Sequence, residues 1–270
     1  MANLRISLVQ TTLHWEDKKA NLEMLERKIE RIPGKPELIV LPEMFSTGFS
    51  MNKELLAETM DDYTVNWLRK TAAKKGAVIT GSIIAKDESK AETRFYNRLI
   101  WMLPNGEFAF YDKRHLFAYG TEDKHFSAGN KRLIASVNGW KINLQICYDL
   151  RFPVWVRQSQ VEKQAMAPEY DLLIVSANWP LARSLAWRTL LQARAIENQC
   201  YVIGVNRTGQ DGKGLEYGGE SMVVGPSGEH IKIMGAAEEI FSHTLDREKL
   251  EGLRTQLPFW RDADTFFIQP

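Results

Sequence analysis

The stretch Lys141-Ile142-Asn143-Leu144-Gln145-Ile146-Cys147-Tyr148-Asp149-Leu150-Arg151-Phe152-Pro153 decides how the rest of the chain is read. Ile142, Leu144 and Ile146 alternate, which is the period of a strand. The chain then presents a cysteine and turns through Tyr148-Asp149 toward a helix expected around Val154, Trp155 and Val156. A thiol at the end of a buried strand, just ahead of a helix N-terminus, is expected where the helix dipole and free backbone N–H groups favour a thiolate. The same N–H groups can hold an oxyanion. The competing reading is a plain buried cysteine, since free Cys is among the most buried residue types. The stretch by itself does not choose between them.

Upstream, Ile6-Ser7-Leu8-Val9 reads as a strand and Asn21–Ile32 as a helix, with Leu22, Leu25 and Ile29 on one face. Leu38-Ile39-Val40-Leu41 is wholly apolar, as suits a strand covered on both sides, and stops at Pro42-Glu43. A second helix is expected from about Asp61 to Lys75, capped by Gly76, followed by a strand over Ala77–Ile84. Tyr96–Met102 and Glu107–Tyr111 flank Pro104-Asn105-Gly106 as a hairpin. Leu116–Gly129 reads as a loop near the strand ends.

Downstream of the cysteine come a helix and a loop. Leu172–Ser176 is then another doubly buried strand, ending in Ala177-Asn178-Trp179-Pro180. Ser184–Asn198 reads as a helix with Leu185, Leu190, Leu191, Ala195 and Ile196 apolar, and Tyr201–Asn206 as a strand. Gly209–Gly219 reads as a glycine-rich loop whose spacing fits no phosphate-binding pattern. A last hairpin joins Ser221–Val224 to Ile231–Ile233. The tail, 257–270, carries Trp260, Phe266 and Phe267 and is expected to pack against the domain or a partner subunit. No linker or repeat divides the chain. The pattern indicates a single α/β domain over 1–270, with two mixed sheets stacked face to face and covered by helices.

With 270 residues, 44% of them hydrophobic, the chain can bury a large core. A net charge of +1 gives no global pull toward nucleic acid or an anionic membrane. The two cysteines, Cys147 and Cys200, lack zinc-finger or CxxC spacing, which points to a reducing, cytoplasmic setting. The first residues lack the pattern of a signal peptide, and no apolar run is long enough to span a bilayer.

Three reactive side chains occupy equivalent places. Glu43 follows the strand ending at Leu41, Lys113 the strand ending at Tyr111, and Cys147 the strand ending at Ile146. Ligands in α/β folds gather at the carboxyl ends of strands. Taken singly, Glu43 reads as a solvated loop carboxylate and Lys113 as a surface charge; together they form a chemical unit. A thiol needs a base, and Glu43 can take its proton. Cationic Lys113 favours the thiolate and stabilises a tetrahedral oxyanion, with the Tyr148 N–H as second donor. An amide would then yield a thioester and an amine, and water would release the acid.

Leu41-Pro42-Glu43, Lys113-Arg114-His115-Leu116-Phe117 and Ile146–Pro153 together resemble the three signatures of the nitrilase superfamily of carbon–nitrogen hydrolases. The likeness runs from the first strand to Gly228. It implies an α-β-β-α sandwich that dimerises into a larger sandwich, needs no cofactor or metal, and uses Glu43, Lys113 and Cys147 as base, electrophilic stabiliser and nucleophile. It also implies a second glutamate in the loop before the nucleophile strand, for which Glu122 is the best match. Glu43-Met44-Phe45-Ser46-Thr47-Gly48-Phe49 and Asn178-Trp179-Pro180 are most similar to the omega-amidase branch, which hydrolyses the terminal amide of short 2-oxo dicarboxylic acid monoamides. Cys147-Tyr148-Asp149, in place of Cys-Trp-Glu, speaks against nitrile substrates. A substrate carboxylate calls for a cation, and Arg151 is the candidate, with an ion pair to Asp149 or a helix carboxylate as its structural alternative. Phe117, Asn178 and Trp179 are expected to wall the pocket.

Other readings are open at this point. They are an amidase for another small linear amide or an N-carbamoyl compound, an acyltransferase that passes the thioester to an amine, and a non-catalytic nitrilase-like binding domain. A Cys–His pair using His115 or His125 has no evident orienting partner. A metal site from His115, Glu122, Asp123 and His125 lacks ligand spacing.

Overall fold

The structure, a computed structural model, describes residues 2–89, 92–158, 168–264 and 266–268. In chain order its first half contains β1 (Leu4–Gln10), α1 (Lys18–Glu30), β2 (Leu38–Val40), α2 (Lys53–Leu56), α3 (Tyr63–Lys75), β3 (Val78–Asp87), β4 (Arg94–Met102) and β5 (Phe108–Asp112). The middle holds β6 (Ile134–Val137), β7 (Trp140–Ile146), α4 (Pro153–Val156), β8 (Leu172–Ser176), α5 (Ser184–Asn198) and β9 (Tyr201–Val205). Then come β10 (Thr208–Gln210), β11 (Glu216–Gly218), β12 (Met222–Val224), β13 (His230–Ile233), β14 (Glu239–Leu245) and α6 (Arg247–Gln256).

Two six-stranded mixed sheets result, in the orders β14-β1-β2-β3-β4-β5 and β13-β12-β9-β8-β7-β6. Each has a parallel centre: β1, β2 and β3 in one, β7, β8 and β9 in the other. The outer strands are antiparallel additions. The wholly apolar runs Leu38-Ile39-Val40 and Leu172-Leu173-Ile174-Val175 are interior strands, buried throughout, as continuous hydrophobicity requires.

One core lies between the sheets, where Leu4, Ile6, Leu8 and Val40 meet residues of the second sheet. A second core packs Leu22, Leu25, Val65 and Leu68 of α1 and α3 onto the outer face of the first sheet. On the other side, Trp187, Leu191 and Ala195 of α5 cover the second sheet. The layers are therefore α-β-β-α, as expected. Each buried Leu or Val contributes about 1.5–3 kcal/mol relative to exposure.

Several local readings differ. The first helix begins earlier, at Lys18, because the Asp17 carboxylate caps it by accepting from the Ala20 N–H at 2.9 Å. From Ile142 to Ile146, β7 is buried as expected, and so are the polar residues that alternate along it. Asn143 and Gln145 are fully buried and pair with each other at 2.8 Å, while Gln145 accepts from Tyr111 of the facing sheet. In α5, Leu185 and Ile196 are exposed, and Arg194 is buried in their stead, donating to the Leu150 carbonyl at 2.7 Å. The glycine-rich loop is a hairpin, β10 against β11.

β14 and α6 were not anticipated. α6 is fixed largely by charge: Arg247 and Arg254 each reach Asp171 at 2.8 Å, at the start of β8. The helix expected around Val154, Trp155 and Val156 is the four-residue α4, and most of the loop expected after it, 159–167, lies outside the described residues. So do 265, 269 and 270 of the tail. Trp260 is half-buried and donates its N–H to Gln199 at 3.1 Å, whereas Phe259 and Phe267 are exposed.

Candidate active site

β5 is antiparallel to β4, which is antiparallel to β3, so β5 runs in the direction of β2. Glu43 and Lys113 therefore leave the first sheet at the same edge. The ends of β2 and β8 are tied across the two sheets. Ser176 Oγ donates to the Leu41 carbonyl at 2.9 Å. The Asn178 N–H reaches Glu43 Oε2 at 2.8 Å, and its side-chain amide reaches the Glu43 carbonyl at 2.6 Å. Gly81 of β3 lies beneath this turn, where a Cβ would meet Leu41 and Phe45 at 2.8 Å. Cys147 arrives at the same edge from β7, next to β8.

Here the chain buries an ammonium with two carboxylates. Lys113 Nζ is 2.8 Å from Glu43 Oε1 and 2.9 Å from Glu122 Oε2, and all three side chains are inaccessible to solvent. Such a cluster is costly to desolvate and holds only when each charge is paired and hydrogen-bonded. Asn97, from the middle of β4, helps meet that demand: its amide bridges Glu43 Oε1 at 2.8 Å and Glu122 Oε1 at 3.0 Å. The Phe117 N–H donates to Glu122 Oε2 at 2.6 Å. Burial alone would pull the lysine down, but the charges of Glu122 and Glu43 outweigh it and raise Lys113 well above its ordinary range. Burial raises Glu122, Lys113 opposes this, and Glu43 adds to the rise.

Cys147 opens a five-residue 3-10 turn, Cys147–Arg151, with φ at +43°. A side chain in this left-handed region is strained by about 1–3 kcal/mol and needs surrounding structure to hold it. Asp149 supplies much of that hold. Its buried carboxylate accepts from the Ile146 N–H at 3.1 Å, from Tyr111 Oη at 2.8 Å, and from the His115 N–H and Nδ1 at 2.9 and 2.8 Å. The turn is thereby pinned to the segment that carries Lys113.

The expected dipole-stabilised thiolate is not found. There is no full helix here, and burial first, then the negative charge of Glu43, push the thiol well above its ordinary range despite Lys113. Cys147 Sγ lies 3.9 Å from the Asn178 carbonyl oxygen. Cys200 is different: fully buried among core residues, it is pushed up to about 12 by burial.

Cys147 and Lys113 both line a cavity of about 330 Å³. Phe117, Trp179 and Asn178 wall it, as anticipated, and Phe49, Tyr148 and Tyr217 join them. Phe117 meets Tyr148 edge-on, with ring centroids 5.1 Å apart. Tyr148 holds the second position of the 3-10 turn, where an N–H has no partner within the turn. Arg151 also lines the cavity and lies over the Trp179 ring at 4.9 Å. The alternative ion pair with Asp149 is not formed, because that carboxylate is already filled by Tyr111, His115 and Ile146.

His115 does have an orienting partner, Asp149, which sequence reading did not find. The imidazole stacks on Phe152 at 3.8 Å and is not among the cavity walls, so it does not form a pair with Cys147. Glu122, weighed as a metal ligand, is instead engaged with Lys113.

The carbon–nitrogen hydrolase family profile matches residues 5–255. The chain is 43% identical over 267 residues to omega-amidase YafV of Escherichia coli (strain K12), covering 98% of this chain and 99% of that one. It is 32% identical over 260 residues to 2-oxoglutaramate amidase of Bacillus subtilis (strain 168), covering 95% and 96%. In structure it is similar to a CN-hydrolase superfamily protein of Xanthomonas campestris whose crystal structure carries an arsenic adduct in the active site. The TM-score is 0.95, at 42% identity over the full length of both chains.

Proposed function

The chain belongs to the carbon–nitrogen hydrolase family, and we propose that it is an omega-amidase, hydrolysing the terminal carboxamide of a short 2-oxo dicarboxylic acid monoamide such as 2-oxoglutaramate or 2-oxosuccinamate. One observation carries the choice of substrate beyond the family. The cavity that holds Cys147 also holds Arg151, a guanidinium with no carboxylate partner among the described residues. A neutral amide would leave it unmatched, and an amide bearing a carboxylate at its far end would pair it.

In the reaction, Glu43 takes the proton of the Cys147 thiol as sulfur attacks the amide carbon. The carbonyl oxygen becomes an oxyanion held by Lys113 Nζ and the Tyr148 N–H. Glu43 returns the proton to the departing nitrogen, ammonia leaves, and the acyl group remains as a thioester. Water then gives a proton to Glu43 and its hydroxide to the thioester carbon; the thiolate leaves and recovers the proton, releasing the 2-oxo acid. Glu122 holds Lys113 in place throughout. A thiol whose proton is held more tightly than usual suits this scheme, because the adjoining base is then needed in the first step.

The test is ammonia release across a panel of amides. Highest kcat/KM is expected on 2-oxo acid monoamides; turnover of another amide class with none on these would remove the assignment. The same reading includes a homodimer. It is supported by exposed Leu185 and Ile196 on α5 and by Phe259 and Phe267 in the tail, apolar surface of the kind that a partner covers. Sedimentation at micromolar concentration should give twice the chain mass, and a monomer would refute it.

A further inference from the structure

Two guanidiniums face the cavity, and the second was not anticipated from the sequence. Arg183 ends the 3-10 turn Leu181–Arg183 ahead of α5, lines the cavity, and lies over the Phe117 ring at 5.3 Å. Like Arg151, it has no ion pair with any described carboxylate. The acid nearest in kind on the rim, Asp211, is committed elsewhere. Its Oδ1 accepts from the N–H groups of Lys213 and Leu215 at 2.8 and 3.0 Å, and its Oδ2 from Tyr217 Oη at 3.0 Å.

The supports under the two arginines are linked to each other and to the reacting groups. Trp179, which carries Arg151, donates its indole N–H to the Arg183 carbonyl at 2.8 Å. Phe117, which carries Arg183, is held through its own N–H by Glu122, the carboxylate that clasps Lys113. Gly120 leaves room for that ring, since a Cβ there would meet it at 2.6 Å. Guanidiniums stacked on fixed aromatic faces are pre-organised and lose little freedom on binding.

We propose that Arg183 is a second specificity-determining residue, which together with Arg151 grips the 2-oxo carboxylate end of the substrate while the carboxamide lies at Cys147. The proposal rests on the omega-amidase reading and extends it. A lone carboxylate is satisfied by one guanidinium fork. A 2-oxo acid presents three oxygens close to one plane, enough acceptors for two forks. The pair therefore selects for the 2-oxo acid group and not merely for negative charge.

The experiment compares wild type, Arg183→Met and Arg183→Lys on 2-oxoglutaramate, on glutaric acid monoamide, which lacks the oxo group, and on pentanamide, which lacks both. The expected result for Arg183→Met is a fall of about tenfold or more in the preference for 2-oxoglutaramate over the other two, carried mainly by KM. Arg183→Lys should recover only part of it, since an ammonium lacks the planar fork. An unchanged preference in Arg183→Met, or an equal loss on all three amides, would overturn the proposal. A second measurement does not depend on turnover: protection of Cys147 from iodoacetamide by 2-oxoglutarate. It should be strong in wild type and weakened about tenfold or more in Arg183→Met. Wild type that turns over none of the 2-oxo acid amides would defeat the functional reading alone. The clamp would then stand or fall on this protection, and equal protection of both proteins would overturn it.

Discussion

Lys113→Met is expected to cost about 3–5 kcal/mol of stability and to abolish turnover. Methionine fills a similar space but leaves Glu43 and Glu122, both inaccessible to solvent, facing one another with no cation between them. The sign of the pH dependence follows. In the wild type, Lys113 is raised above its ordinary 10.5, so its contribution is complete below that value and is lost only as pH rises through the elevated one. In the variant the carboxylates govern. Glu122 is already raised from 4.5 by burial, and loss of the ammonium raises it further. A folded-state value above the unfolded one means stability is greatest below about 4.5 and falls as pH rises through the folded value. Lys113→Met should therefore approach wild type as the solution is acidified toward that value. The double variant Lys113→Met/Glu122→Gln should regain a large part of the loss at neutral pH. Urea unfolding of the three proteins checks this; a single variant as stable as wild type at pH 7 would show that the ion cluster is not what holds this edge together.

Cys147→Ala is expected to lower ammonia release by about 10⁴-fold or more, the scale seen when a nucleophile is removed from a site whose other groups stay in place. Stability should change by about 1 kcal/mol or less, within the range of substitutions that touch no network. Alanine keeps the Cβ, so the strain at φ +43° is the same in both proteins. The turn is held by Asp149 and by Arg194 on the Leu150 carbonyl, not by the sulfur. A variant that unfolds like wild type yet fails to release ammonia separates chemistry from folding. Comparable turnover by the two proteins would remove the thioester scheme.

The sandwich was legible because β2 and β8 are short, wholly apolar runs, and because Glu43, Lys113 and Cys147 each follow a strand end. What stayed hidden shares a cause: polar residues whose partners lie far away in the chain. Asn97 sits in the middle of an apolar strand, and only the cluster of two glutamates explains why it belongs there. A buried amide in such a strand was the available signal. Asp149 looked like a turn residue, but it is the acceptor that joins the cysteine turn to β5 and its successor. Arg194 lies on the inward face of α5, where periodicity would have placed an apolar residue. β14 escaped because its pairing to β1 leaves no local mark, whereas α6 did carry helical signals, an Asp246 cap and Leu250 on an amphipathic face, that were not read. The turn at Cys147 was legible, but the direction of its thiol's shift was not: burial first, then the charge of Glu43, raise it.

The most direct check is a titration with iodoacetamide at neutral pH, following residual ammonia release on 2-oxoglutaramate against label per chain by mass spectrometry. Cys200 is sealed in the core whereas Cys147 lines the cavity, so a single adduct should form, on Cys147. Activity should fall in proportion to that adduct and reach zero when every chain carries it. Protein labelled fully at Cys147 that still releases ammonia at the wild-type rate would contradict the account.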